Sequence, residues 1–335
     1  IPQVLSPAPH ALENPDRRPP PKPPVRCPFC DTPTVKEEDA VFTRCPNREC
    51  PERRWQLLKD SFVRLRAADG FSHCRSLAFV TSLVLVQGLI ALVGFAAAFG
   101  DVRMSGEIVA AIQSAVPDPA GRLLTDAVAQ ARGVGAADRF VPLLFGLIGT
   151  LVTGSTAMGQ IERGFNRIYG IERDRPTLEK YGRAFVLAVG AGSCLAAAFL
   201  VLAFGRQSET TGGFLRTTWP YFRWPLALVV ATLALTAILR WSPHRRQPAW
   251  SWLGFGAALC VAGWVLVTVV LGAALSLSSS FGETYGPLAG IVALQFWTLL
   301  SAIAIFFGAA VAAQLEAVRA GAPKPRASSG QEPAV

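Results

Sequence analysis

The chain has 335 residues, 51% of them apolar and only 16% charged, and its mean hydropathy is positive. Soluble domains carry about a quarter charged residues, so these figures exclude an ordinary water-soluble fold for most of the chain. The formal net charge of +9 is not in itself a nucleic-acid signature, because excess Arg in membrane proteins collects on cytoplasmic loops and orients the helices.

The charges are unevenly spread. Residues 1–75 hold 13 of the 32 Lys and Arg, so a polar, basic N-terminal segment precedes a lipid-solvated body. The chain opens on Ile1 and runs through a Pro-rich stretch from Pro15 to Pro24, with no cleavable signal peptide in view. It reads as a fragment, or as a product joined from two pieces. Residues 1–24 are a lead-in, and residues 25–53 a compact cysteine module.

That module holds Cys27-x2-Cys30, then 14 residues, then Cys45-x4-Cys50. Two close pairs, each in a Pro-containing knuckle, suit tetrahedral thiolate ligation of one structural Zn2+. A pair of disulfides is the alternative, but a cytoplasmic N-terminus is a reducing place. A module this small has too little apolar core, so metal binding would supply most of its folding energy.

Ile1-Pro2-Gln3-Val4-Leu5, Arg26-Cys27-Pro28-Phe29-Cys30, Glu37-Glu38, Arg44-Cys45-Pro46-Asn47 and Cys50-Pro51 together resemble the zinc finger of bacterial NAD-dependent DNA ligases. The resemblance implies a structural, DNA-contacting element and not a catalytic one. The Lys-x-Asp-Gly adenylation motif, the nucleotide-binding domain and the helix-hairpin-helix repeat of such ligases are absent from the sequence. Arg26, Lys36, Arg44, Arg48, Arg53 and Arg54 could give weak DNA contact through phosphates; a solvated basic surface is the alternative. No Gly/Ser linker follows near residues 53–55, and a gene fusion or misjoined reading frame explains that seam.

Residues 54–75 are a cytoplasmic juxtamembrane segment. From 76 to 313 the pattern is an all-α polytopic membrane protein, a six-helix transmembrane bundle. A hydrocarbon core of about 30 Å needs about 20 apolar residues in helix. Six runs carry no Asp, Glu, Lys or Arg: 76–100, 140–161, 184–205, 224–239, 247–282 and 284–315. Residues 77–99 alone hold thirteen Leu, Ile, Val or Phe, worth roughly −6 kcal/mol of insertion free energy as an upper estimate. The second run is weaker, with Thr153, Gly154, Ser155 and Thr156, small residues of the kind that let membrane helices pack closely. Residues 314–335 are a cytoplasmic tail.

Loop charges set the orientation. Loop 162–183 has six Lys/Arg against four acids and loop 240–250 has three Arg and no acid, whereas loop 101–139 has four Arg against five acids. The positive-inside rule places both termini in the cytoplasm, which an even span count also requires. In loop 101–139, Pro117 and Pro119 separate Ile108, Val109, Ile112 and Val116 from Leu123, Leu124 and Val128. Their helical spacing predicts two short amphipathic helices packed on the outer surface of the bundle.

Leu58-Lys59-Asp60-Ser61-Phe62, Asp69-Gly70-Phe71-Ser72-His73, Glu162-Arg163-Gly164-Phe165-Asn166-Arg167-Ile168-Tyr169-Gly170 and the Phe281-to-Leu288 segment resemble the YihY/BrkB family of bacterial inner-membrane proteins, over about 260 residues. The most specific parts are residues 166–170 and the turn Gly282-Glu283-Thr284-Tyr285-Gly286. The resemblance implies a non-enzymatic protein of the inner membrane, a transporter or an envelope-maintenance factor. Some members of that family carry a ribonuclease label. Here His10, His73 and His244 lie far apart in the chain, and no carboxylate cluster suits a catalytic metal.

Glu162, Arg163, Asn166 and Arg167 follow the second span on a continuing helix, with Glu162 and Asn166 on one face and Ile161, Phe165 and Ile168 on another. They read as an ionic gate or headgroup patch at the cytoplasmic mouth, or alternatively as a juxtamembrane helix whose charges pair locally and meet anionic lipid. Gln87 and Gln295 lie inside spans, where an amide needs a partner; interhelical hydrogen bonding is expected and a substrate path is the alternative. No ionisable residue occupies the centre of a span, which argues against a proton relay. Cys74, Cys194 and Cys260 read as ordinary buried residues. The partners implied are the lipid bilayer, DNA weakly through the finger, and a homo-oligomer as an open alternative; no small-molecule substrate is identifiable. A membrane-tethered DNA-binding zinc module is the second reading, and a DNA replication or repair protein the third.

Overall fold

A computed structural model of the chain describes residues 51–98, 116–118, 120–132, 140–171, 176–204, 214–244, 250–277 and 288–319. The chain divides into two compact units, Ile1–Gln56 and Leu57–Val335. The four cysteines of the expected finger and the Gly282–Gly286 turn lie outside the described residues.

Every described element is a helix: α1 Pro51–Ala67, α2 Gly70–Ala98, α3 Ala120–Arg132, α4 Phe140–Ile168, α5 Thr177–Phe204, α6 Phe214–Trp241, α7 Trp250–Leu277 and α8 Leu288–Arg319. Five contain a stretch long and apolar enough to cross a membrane: Gly70–Leu92, Phe140–Ile168, Tyr221–Trp241, Leu253–Leu277 and Leu288–Val318. The remaining expected span, 184–205, falls on α5, a helix of 28 residues that starts earlier, in the charged segment around Glu179, Lys180 and Arg183. The helices overrun the uncharged stretches at other ends too. α8 continues to Arg319.

In the second unit α2, α4, α5, α6, α7 and α8 pack each against the next, and α8 returns to α2 to close the ring. α8 is the most enclosed, with 56% of its apolar window buried against 11–28% in the other four spans. α3 lies across α2 and α8, burying Ala120 and Leu124 beside Leu89, Leu294 and Trp297. The second amphipathic stretch of the 101–139 loop therefore packs on the bundle as expected; the first, 108–112, is outside the described residues.

The outer surface is oily. Phe79 and Leu83 on α2, Phe145, Ile148 and Val152 on α4, Val186 on α5, Leu233 on α6 and Val269 on α7 are all exposed. The small and polar residues of α4, such as Gly146, Ala157, Gly159 and Glu162, point inward. Such a distribution suits acyl chains as solvent, because lipid removes the reason to hide apolar groups and tight helix contact favours small ones.

Backbone geometry explains two sequence signatures. At the end of α4 the Gly170 N–H donates to the Arg167 carbonyl (3.0 Å) and the Ile171 N–H to the Asn166 carbonyl (2.8 Å). Gly170 adopts φ +72°, completing a Schellman stop that a side chain would strain. Where α2 crosses α4, a Cβ on Gly146 would stand 2.5 Å from the Ala91 nitrogen, so only glycine allows this approach.

Candidate functional site

The polar end of α4 is where the expected site residues gather. Glu162 and Asn166 are each 1% exposed, yet Ile161, Phe165 and Ile168 are buried as well. Both faces are enclosed because neighbouring elements surround this end of the helix. Arg163 and Arg167 are exposed. The four residues grouped by sequence therefore separate, two inward and two outward.

Asn166 is held at both of its carbonyls. Its side-chain Oδ1 accepts from the His244 backbone N–H at 2.9 Å, tying α4 to the turn after α6. Its backbone carbonyl takes the Schellman bond from Ile171. Two further residues, separated by 250 positions, complete the junction. Arg64 of α1 donates through Nε to Gln314 Oε1 at 2.8 Å and through Nη1 to the Ile168 carbonyl at 3.4 Å. Gln314 is fully buried on α8, and Ser242 is 1% exposed after α6. Below them Phe165 meets Phe306 edge to face, centroids 5.6 Å apart, and His73 lies over Phe306 at 6.3 Å.

A guanidinium from α1 and the amide of Gln314 from α8 thus meet the end of α4, whose Asn166 amide holds the turn after α6, and the Glu162 carboxylate is buried one helical turn before it on α4. Arg64 satisfies one of the terminal carbonyls of α4, and positive charge is favoured at a helix C-terminus. The arrangement fastens three helix ends by directional bonds on top of an aromatic layer. Sequence reading missed Arg64 and Gln314. The available signal was Gln314 itself, a polar residue directly before the end of an uncharged run at Leu315.

Gln87 and Gln295 each bond across helices. Thr153 of α4 donates to Gln87 Oε1 at 2.9 Å, and Gln295 Nε2 donates to Ser82 Oγ of α2 at 2.9 Å. The hydroxyls of Thr150, Ser155 and Thr156 each donate back to the carbonyl four residues earlier in α4, and Thr153 shares its one proton between Gln87 Oε1 and the Gly149 carbonyl at 2.7 Å. Cys74 and Cys260 are buried as expected, whereas Cys194 is exposed on the outward side of α5, the position of a lipid-facing residue. Among the described residues no three His, Cys, Asp or Glu side chains group as a metal site would need.

A family described as virulence factor BrkB matches residues 61–332, a stretch that contains α2 to α8 and all the junction residues named above. The chain belongs to the BrkB family. Ahead of the BrkB region, residues 26–51 match the NAD-dependent DNA ligase C4 zinc finger domain. Two curated relatives bear on the BrkB part. A ribonuclease-like protein, YfkH, of Bacillus subtilis is 25% identical over 269 residues, covering 77% of this chain and 94% of its own length. The UPF0761 membrane protein azo3165 of Azoarcus is 27% identical over 258 residues, covering 72% of this chain. The match spans 59% of the Azoarcus protein's length. No solved structure matches. Family and helices together make this a multi-pass membrane protein.

Proposed function

We propose that the chain is a non-enzymatic bacterial inner-membrane transporter whose α2, α4, α5, α6, α7 and α8 all cross the bilayer, with both termini cytoplasmic. The buried junction of Arg64, Glu162, Asn166 and Gln314 is its cytoplasmic closure. The observation that carries this reading is the joining of three helix ends and a turn by side-chain bonds of Arg64, Gln314 and Asn166, with Glu162 buried one turn earlier on α4. Ionisable and polar groups inside a membrane bundle cost stability and mark pathways. A closure made of hydrogen bonds can also exchange partners, which a purely apolar seal cannot. Positive charge on loops 162–183 and 240–250 supports the orientation.

The test is osmotic swelling of proteoliposomes across a panel of small solutes, with the wild type beside Glu162→Gln and Asn166→Leu. Swelling above that of empty vesicles for at least one solute, altered in both variants, is the expected result. Wild-type swelling equal to empty vesicles, or unchanged in both variants, would overturn the reading. An envelope-maintenance role without flux is then the remaining one for a BrkB-type chain.

A second reading is supported by the ligase-type finger match at residues 26–51: a zinc module that gives the membrane protein DNA contact. Cys27, Cys30, Cys45 and Cys50 would hold one Zn2+, and four thiolates are a donor set that suits tetrahedral structural zinc. Duplex DNA binding by the full chain in nanodiscs, falling steeply with salt, is expected if the finger retains that contact. No binding at physiological salt would dismiss it.

A further inference from the structure

Arg223 lies in the first turn of the apolar stretch Tyr221–Trp241 of α6. By helical periodicity it shares a row with Ala227, Ala234 and Ile238, all of them buried. Phe222, Leu226, Val229 and Leu233 form a separate, exposed row. The guanidinium is therefore mounted on the packed face of α6, whose neighbours are α5 and α7, and not on the oily outer one.

Its Nε is shut off from solvent and donates no hydrogen bond among the described residues. Arg64 and Arg183 differ in this respect, because their Nε atoms donate to Gln314 Oε1 and to the Trp241 carbonyl. An exposed donor can turn to water; a buried one cannot, and leaving it unpaired costs stability. Within a membrane bundle such a cation marks a functional position. At 1.5 Å per residue, Arg223 stands about 28 Å along α6 from Ser242, so it belongs to the end of the bundle opposite the Arg64–Gln314 junction. Of the described acids before and on α3 at that end, Asp118 is bridged to Arg122 at 3.5 Å and Asp126 is exposed.

The guanidinium sets the chemistry of the missing acceptor. Nε–H and one Nη–H form a planar fork that fits two oxygens of an oxyanion. A phosphate group presents such a pair, either as the unbridged oxygens of a lipid diester or as a free ion. We propose that Arg223 is an oxyanion site on the packed face of α6 and takes a phosphate group through this fork. The site requires a bound phosphate and does not depend on flux through the bundle.

Native mass spectrometry of the full chain, released from neutral detergent micelles, counts bound molecules directly. The probes are phosphatidylglycerol, inorganic phosphate and a phosphate-free galactolipid. The comparison chains are the wild type, Arg223→Leu, Arg223→Lys and Arg122→Gln, the last an exposed cation at the same end. The wild type and Arg122→Gln are expected to take their first phosphate-bearing adduct at a concentration at least about tenfold lower than Arg223→Leu. Arg223→Lys, which keeps the charge and loses the fork, should fall between them. Galactolipid binding should be alike in all four. Uptake of phosphatidylglycerol without inorganic phosphate assigns the site to a membrane lipid, and the reverse assigns it to a dissolved ion. Equal phosphate binding by the wild type and both Arg223 variants would overturn the proposal.

Unfolding of chains that carry no adduct separates the site from an internal ion pair. Without an acceptor in the chain, Arg223→Leu should unfold at the wild-type midpoint or later. An earlier midpoint would show the guanidinium held by an acid of the chain itself, such as Glu209 or Glu283, and would equally overturn the assignment.

Discussion

Replacing Gly146 with alanine tests the α2–α4 crossing, the most extensive helix pairing in the bundle. The added Cβ would stand 2.5 Å from the Ala91 nitrogen and 2.9 Å from the Gln87 carbonyl oxygen. Comfortable contact needs about 3.5 Å or more, so the helices must part locally by about 1 Å. They cannot roll to avoid this, because a Cβ on Gly94 in the same crossing would already stand 2.5 Å from the Leu143 nitrogen. Overpacking of this kind costs about 1–3 kcal/mol. Against it, alanine gains about 0.5–1 kcal/mol over glycine in a helix interior. Gly190 on α5 has no neighbour within 4 Å of its Cβ position, so Gly190→Ala receives that gain unopposed. The two variants should therefore move in opposite directions when unfolded from mixed micelles by increasing the fraction of ionic detergent, followed by tryptophan fluorescence. Gly146→Ala should unfold earlier than the wild type, and Gly190→Ala at the same point or later. A Gly146→Ala midpoint at or above the wild-type value would refute the close crossing.

Other expectations follow from the same contacts. Asn166→Ala removes the acceptor for the His244 N–H and should cost about 1–3 kcal/mol, read as an earlier midpoint in the same titration; a wild-type midpoint would show that the side chain does not fasten the turn. Gln87→Leu should cost only about 0.6 kcal/mol, the average for an interhelical bond in a membrane, since Thr153 keeps its bond to the Gly149 carbonyl at 2.7 Å; a loss above about 2 kcal/mol would contradict that pairing. The purified chain should contain one zinc by elemental analysis and Cys27→Ser none; a zinc-free wild-type chain, prepared without chelator, would remove the metal assignment.

Much of the bundle was legible because its signal is one-dimensional. A run such as 284–315 without a charge needs no knowledge of its neighbours to be read as lipid-solvated. Even the weak run around Thr153 and Ser155 was readable, since hydroxyls bonded back to their own helix lose their polarity to the surroundings. The enclosure of α4's end was less legible. Helical periodicity separates Glu162 and Asn166 from Ile161 and Phe165, but it cannot say that both sides will be covered. That depends on α1, α8 and the α6–α7 turn arriving at one place. The Arg64–Gln314 bond joins residues whose separate sequence contexts, a basic amphipathic helix and an apolar span end, give no reason to pair them. The helix overruns at α5 and α8 have the same origin: charge marks where lipid ends, whereas the backbone hydrogen-bond ladder continues until a stop such as Gly170 interrupts it.

The most direct measurement is fractionation of cells expressing the chain, with the membrane pellet washed in alkaline carbonate and then in detergent. Phe145 at 74% and Val186 at 67% exposure suit acyl chains as their surroundings, so the protein should stay in the pellet through the carbonate wash and leave it only with detergent. Release by carbonate alone, as a monodisperse species, would contradict the account.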